Sequence, residues 1–343
     1  MAMRRWIKVT VAAAAVLGVG GYIAQPYAKD WVLTGQACDG ALPRDVTGQL
    51  VPDGAHLTEE RSQQIDGLGS YGCDLRFEGD GDAVGHIVLD AYTRRDDQDA
   101  EFMTLFPEGG QSTVEALPDG LPGFVDEYRG MHFLVPCPDL GKDADGRQRK
   151  LLTRVSLQRR VDAGVPGAAY RMAVSLTNAA SDRLGCGAKP LSPPKKDVPL
   201  ADPEKSSEEA RGVPLAEAKD TACGWAAGAG LPEPATWRAL GSANENSPVA
   251  SCVLLTGDPD SEDGSRMYFR AWYGDWSRRL TKEYDDRVPV SATARCDGEA
   301  ATFAPAFSDD IPGVDKGDEQ RIFKLFAEDQ VRRHGCSDLR LPF

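Results

Sequence analysis

Catalytic signatures are missing from this chain. Its four histidines, His56, His86, His132 and His334, are scattered, and no H-E-x-x-H pair is present to build a zinc hydrolase. No G-x-S-x-G elbow offers a nucleophilic serine. The eight cysteines include no C-x-x-C pair, and none stands at ligand spacing from a histidine, so the usual zinc patterns are excluded. Positive charge is also scarce. With 39 Lys and Arg against 53 Asp and Glu, the formal net charge is −14, and the isoelectric point is about 4.8. A surface of that sign repels phosphate backbones and anionic membrane surfaces, so no nucleic-acid partner is expected. Long apolar runs are absent except for one at the N-terminus.

What the chain does contain is a cysteine pattern that occurs twice. Cys38, Cys73, Cys137 and Cys186 fill the first half, and Cys223, Cys252, Cys296 and Cys336 repeat the arrangement more compactly in the second. The text ending the pattern repeats as well: Met172–Cys186 aligns without a gap against Ile322–Cys336, and both segments close on Gly-Cys. The expectation is two tandem repeats produced by duplication. In an oxidising compartment these cysteines read as disulfides. Four cysteines allow three pairings per repeat, and the sequence does not choose among them. The pairing expected here joins neighbours: Cys38–Cys73, Cys137–Cys186, Cys223–Cys252 and Cys296–Cys336, each worth about 3–4 kcal/mol in the chain-entropy picture.

The N-terminus suggests that compartment. Arg4, Arg5 and Lys8 precede an apolar run from Val9 to Ala24, with Trp6 at the near edge and Tyr22, Tyr27 and Trp31 at the far one. Basic residues before an apolar segment hold its N-terminus in the cytoplasm. A cleavable signal peptide is the competing reading, but Tyr22 before Ala24 and Pro26 before Ala28 make poor cleavage sites. The expected layout is a cytoplasmic stub at 1–8, a transmembrane anchor and juxtamembrane segment at 9–30, a first repeat at 31–187, a Pro/charged linker at 188–219, and a second repeat at 220–343. Everything after the anchor is exported, which gives a single-pass membrane protein with an extracytoplasmic bulk.

Within each repeat the fold expected is α+β, about αββαββα around an antiparallel sheet. A part-helical stretch follows the first cysteine, Cys38–Leu50 and Cys223–Leu240. A polar loop leads to the second cysteine, which opens a strand: Cys73–Phe77 and Cys252–Leu255. Turn-rich text, Glu78–Asp82 and Gly257–Gly264, separates it from His86–Tyr92 and Arg266–Trp272, a hairpin signal. Trp276, Leu280, Tyr284 and Val288 recur at helical spacing. A second hairpin follows, tight at Asp297-Gly298 between 291–296 and 299–307, and stretched into 139–149 between 131–137 and 151–157. Each repeat ends in a helix stopped by Gly185 or Gly335.

The first-cysteine helix with Leu-Pro, the second cysteine entering a hairpin, and the terminal Gly-Cys resemble the small two-disulfide extracytoplasmic domains of actinobacterial envelope lipoproteins. The sensor ectodomains of receptor kinases in the same bacteria are similar. The resemblance implies an exported sensor or binding module and carries over no functional residue. The chain departs from the lipoproteins in lacking a lipobox and from the kinases in lacking a cytoplasmic catalytic domain.

Two motifs and one cluster require weighing. Gly67-Leu-Gly69-Ser-Tyr-Gly72 spells the dinucleotide fingerprint but follows a polar, helix-like stretch and precedes a strand, the wrong context. Asp258–Gly264 and Asp143–Gly146 have the look of calcium loops, yet glycine and glutamate miss the required positions, so no metal or other cofactor is expected. The aromatic cluster Tyr268, Phe269, Trp272, Tyr273 and Trp276, interspersed with arginines, has the composition of an interaction hot spot. One strand face must be core, and a recognition surface would then use Arg270, Trp272 and Trp276. The function expected is a non-catalytic, membrane-anchored binding or scaffold module whose partner is an envelope protein or cell-wall component. The alternatives are an exported hydrolytic enzyme and a structural accessory of an envelope assembly.

Overall fold

The computed structural model describes residues 34–79, 82–106, 114–159, 165–200, 212–241, 244–257, 264–282, 291–308 and 311–343. The anchor expected at 9–30 lies outside them, and among the described residues no helix is long and apolar enough to cross a membrane.

Two antiparallel sheets of seven strands form the frame. The first contains β1 (His56–Ile65), β2 (Ser70–Gly79), β3 (Asp82–Tyr92), β4 (Glu115–Ala116), β5 (Gly123–Val125), β6 (Met131–Pro136) and β7 (Lys150–Arg159). Its order is β1-β2-β3-β7-β6-β5-β4. The second contains β8 (Val213–Pro214), β9 (Arg238–Leu240), β10 (Val249–Thr256), β11 (Ser265–Tyr273), β12 (Ala292–Cys296), β13 (Glu299–Phe307) and β14 (Ser337–Arg340), in the order β14-β12-β13-β11-β10-β9-β8. The centres match in connectivity: β2-β3-β7-β6 in one, β10-β11-β13-β12 in the other. In each, two hairpins lie side by side with their second strands adjacent.

The α+β class agrees with the sequence reading, but αββαββα undercounts the strands. The stretch before Gly67, read as polar loop or helix, is β1, which pairs with β2 from His56 to Ile65 and is exposed over most of its length. β4 and β5 extend the first sheet past β6, while β8, β9 and β14 flank the second.

Each sheet has its own core beneath one long helix. In the first unit, α1 (Arg44–Leu50) precedes the sheet, α2 (Arg95–Leu105) joins β3 to β4, and α3 (Ala168–Arg183) covers one face. Strand alternation sends Tyr71, Cys73, Leu75 and Phe77 of β2 to that face. Met172, Leu176 and Ala180 of α3 share their cluster, and the Thr153 and Thr177 hydroxyls hydrogen-bond across the contact at 2.9 Å. In the second unit, α4 (Ser277–Lys282) follows β11, and α5 (Lys316–Arg333) lays Ile322, Phe323 and Phe326 against Phe269 and Phe303. Tyr284 and Val288 of the expected helix lie outside the described residues.

The disulfides are Cys38–Cys73, Cys137–Cys186, Cys223–Cys252 and Cys296–Cys336, the neighbour pairing expected. Both covering helices end alike. Gly185 (φ 64°) and Gly335 (φ 59°) take the left-handed conformation. The Cys186 and Cys336 amides then donate back to Ser181 and Val331, each at 2.9 Å, the Schellman closure that glycine permits. The linker expected at 188–219 is partly fastened down. Asn178 exchanges two hydrogen bonds with Leu191, the Gly167 amide donates to the Val198 carbonyl at 2.9 Å, and Leu200 is buried in the first core.

Candidate functional site

β11 is buried on both faces over its second half. Met267, Phe269 and Ala271 enter the core beneath α5, so alternation turns Arg266, Tyr268, Arg270 and Trp272 the other way. The first sheet presents Phe124 and Leu152 on its face away from α3, and α2 adds Phe102, with Phe106 just past its end. These surfaces meet. Phe102, Phe106, Val114, Phe124 and Leu152 from the first unit pack with Val249, Trp272, Trp276, Leu280 and Ala304 from the second in a single cluster. Phe102 stacks on Trp276 with centroids 4.1 Å apart, and Phe106 meets Trp272 edge-on at 6.2 Å.

This placement corrects the reading of Arg270, Trp272 and Trp276 as an open recognition surface: they are 4%, 1% and 3% exposed. The two tryptophans fill the seam between units, and Arg270 stands over the Tyr268 ring, 5.3 Å from its centroid. Aromatic area that would suit a partner protein is used to hold one half of the chain to the other.

Charges rim one side of the seam. Arg147 pairs with Asp275, Lys150 with Glu299 at 3.1 Å, and Arg279 approaches Asp99 at 3.7 Å. Asp143 holds Arg147 in place by accepting its backbone amide at 2.9 Å and its Nε–H at 3.1 Å. The turn weighed as a calcium loop thus spends its first carboxylate on its own residues. The second, over Asp258–Asp263, lies outside the described residues, and among those described no group of three or more His, Cys, Asp or Glu could hold a metal ion. Burial works against the Asp275 carboxylate, but the Ala300 amide and Arg147 outweigh it and hold its pKa below the usual range.

The other end of the seam is built from amides. Asn244 Nδ2 donates to the carbonyls of Leu117 and Leu121 at 2.9 and 2.6 Å, and Asn246 Nδ2 to that of Gly120 at 3.0 Å. Between this loop and the end of α5 opens a cleft of about 300 Å³, lined by Gly120 of the first unit and by Ala222, Asn246, Ala250, Arg333 and His334 among others of the second. Behind its wall the Tyr273 hydroxyl donates to Gln330 Oε1 at 2.9 Å, and the Tyr273 ring stacks on His334 at 3.8 Å. Asp329, its side chain 2% exposed, receives Arg332 and the Nε–H of Arg333. Burial, then the Arg333 charge, lowers the His334 pKa to about 4, so its ring is neutral at ordinary pH.

Of the remaining histidines, His132 forms a pair the sequence reading missed. Its Nε2 lies 2.8 Å from Asp126 Oδ2 and the ring is fully buried. The other Asp126 oxygen accepts the Tyr128 and Gly130 amides, both at 2.8 Å. The pair therefore pins the β5–β6 turn and leaves Tyr128 77% exposed at its tip. Because the ring is buried, it serves structure and cannot reach a substrate. A histidine at an otherwise apolar strand position was the one available signal. His86 bridges Asp74 and Gln158 on the outer face of the first sheet. The Gly67–Gly72 motif is the turn between antiparallel β1 and β2, with Gly69 at φ 59° where an added Cβ would strike Thr93.

Compared with known proteins, the chain matches no family model, no curated protein and no solved structure.

Proposed function

We propose that this protein is an extracytoplasmic binding or scaffold module, held at the membrane by residues 9–30 and carrying out no catalytic step, and that its two units are repeats of one duplicated ancestor. Three features support the duplication: the matched central strand orders, disulfides at matching places in those orders, and the shared Gly-Cys closure of the covering helices. The observation that carries the binding reading is the seam. It joins the units through a buried aromatic cluster and leaves a polar cleft lined by both, the kind of place where ligand sites concentrate. Docked units favour one composite site over two independently engaged ones. The partner class remains an envelope protein or cell-wall component.

Crosslinking of the tagged full chain in cells, followed by mass spectrometry, tests this. Reproducible capture of one envelope protein or of cell-wall fragments supports the reading. No capture, together with turnover of an envelope polymer by the purified chain, replaces it with the enzyme alternative.

A further inference from the structure

We infer that the seam cleft binds an α-carboxylate, either of a free amino acid or of the C-terminal residue of a peptide, with Arg333 as its anion partner. The inference deepens the binding reading above and rests on it. The charge balance at the end of α5 is the starting point. Asp329 is buried and faces two guanidiniums, Arg332 and Arg333, so one positive charge is left over. Arg332 has a side chain 75% exposed, while that of Arg333 is 25% exposed and lines the cleft. Only the Nε–H of Arg333 is engaged with Asp329, at 2.6 Å. Among the described residues no acceptor takes its Nη protons, and the planar Nη fork is the geometry that grips a carboxylate.

Gln330 supplies the second donor. It is 1% exposed, its Oε1 accepts the Tyr273 hydroxyl, and its Nε2 has no contact among the described residues better than 3.4 Å to Asp329. A buried amide nitrogen with spare protons is costly unless something accepts them. Asn246 commits its Nδ2 to Gly120, which leaves Oδ1 to accept an N–H beside the ligand's carboxylate. Glu245 lies exposed at the rim, where a free ammonium would meet it. The chemistry selects a singly charged carboxylate over a phosphate, because one spare guanidinium, one amide and a neutral imidazole cannot balance a dianion. At about 300 Å³ the cleft sits at the small end of ligand pockets. Gly224 lets Arg333 approach: a Cβ there would lie 2.5 Å from the Lys219 carbonyl and 3.1 Å from Arg333 Nη2.

Titration calorimetry on the full chain, with alanine, N-acetylalanine and N-acetylalaninamide as probes, tests the inference. At least one acid is expected to bind, with the amide about tenfold weaker or worse, the loss expected for one charged hydrogen-bonded contact. Tighter binding of alanine assigns the site to free amino acids, and tighter binding of N-acetylalanine assigns it to peptide ends. Ala250→Met fills the cleft while leaving Arg333 and Asp329 in place and should abolish binding. Asn246→Ala, at an exposed position, should weaken it and serves if the methionine variant does not fold. Equal binding of acid and amide, no binding of either acid, or undiminished binding by Ala250→Met overturns the inference. Capture of the same envelope partner by wild type and Ala250→Met, with no acid bound, sinks the cleft while the binding reading stands. Acid binding without any captured partner upholds the cleft and removes the envelope macromolecule as its partner.

Discussion

The two units share a central strand order and differ in the strands that flank it and in one hairpin. Between β12 and β13 the chain turns on Asp297-Gly298, with φ 50° and 82° at the two positions, a tight turn that Asp-Gly favours. Between β6 and β7 the same connection runs from Cys137 to Arg149. That longer connection carries Asp143 and Arg147, and β7 opens on Lys150, so the cations that cross to Asp275 and Glu299 come from or beside it. The contact between units is unlike on its two sides: phenylalanines from the first meet tryptophans from the second, and Arg147 and Lys150 of the first reach carboxylates of the second, with Arg279–Asp99 running the other way. If the halves were once equivalent, one place where they diverged now supplies charged contacts between them.

The largest test of this contrast is Trp276→Ala. Removing a ring stacked on Phe102 inside a buried cluster should cost about 3–5 kcal/mol. Scanning calorimetry should then resolve two unfolding transitions where the wild type has one; a single shifted transition would mean the units are coupled by something other than the seam. Next come Cys186→Ser and Cys336→Ser, each expected to remove about 2–5 kcal/mol. Hydrogen exchange should show the loss concentrated in the unit that bears the change, and equal loss in both would contradict separate cores. Asp315→Ala probes a smaller difference. The Asp315 carboxylate accepts the Asp318 amide at 2.9 Å in a reciprocal capping box, whereas α3 starts after Gly167 with no side-chain cap. About 1 kcal/mol should be lost from the second unit alone, read by hydrogen exchange in α5 against α3.

Smallest is Arg147→Gln, a partly exposed ion pair worth about 0.2–1 kcal/mol, best seen through pH. Asp275 is held below the usual carboxylate range. Its contribution is therefore complete above the unfolded value of about 3.9 and disappears as the pH falls through the folded one. Arg147→Gln should flatten that acid limb. His334 acts at higher pH with the same sign. Its pKa falls from 6.5 to about 4 on folding, so the unfolded chain takes up the proton first and the second unit weakens as the pH drops from 6.5 toward 4. A His334→Gln variant should remove that slope from a stability-versus-pH series; an unchanged slope would place its origin elsewhere.

Parts of this fold were legible because burial imprinted them. β2 alternates buried and less buried residues from Tyr71 to Phe77, and β12 does the same at Ala292, Ala294 and Cys296. The Gly-Cys endings located both covering helices. β1 was missed because Thr58–Gln64 is open to solvent over most of its length and so carries no apolar alternation; pairing with β2 alone recruits it. The seam was half legible. Aromatic residues on both faces of β11 announce double burial, but nothing local says that Phe102 and Phe106, more than 160 positions upstream, supply the cover. The cleft escaped for the same reason, since Gly120 reaches Asn246 only once the sheets have docked.

One early bond has a mechanical meaning. The Cys38–Cys73 bridge fastens the start of the described chain to β2, which is hydrogen-bonded on both sides, to β1 and β3. A pull on the chain upstream of Cys38 is therefore delivered through a covalent link into the interior of a sheet. The strands share that load in shear, and the N-terminal segment cannot be peeled away one hydrogen bond at a time.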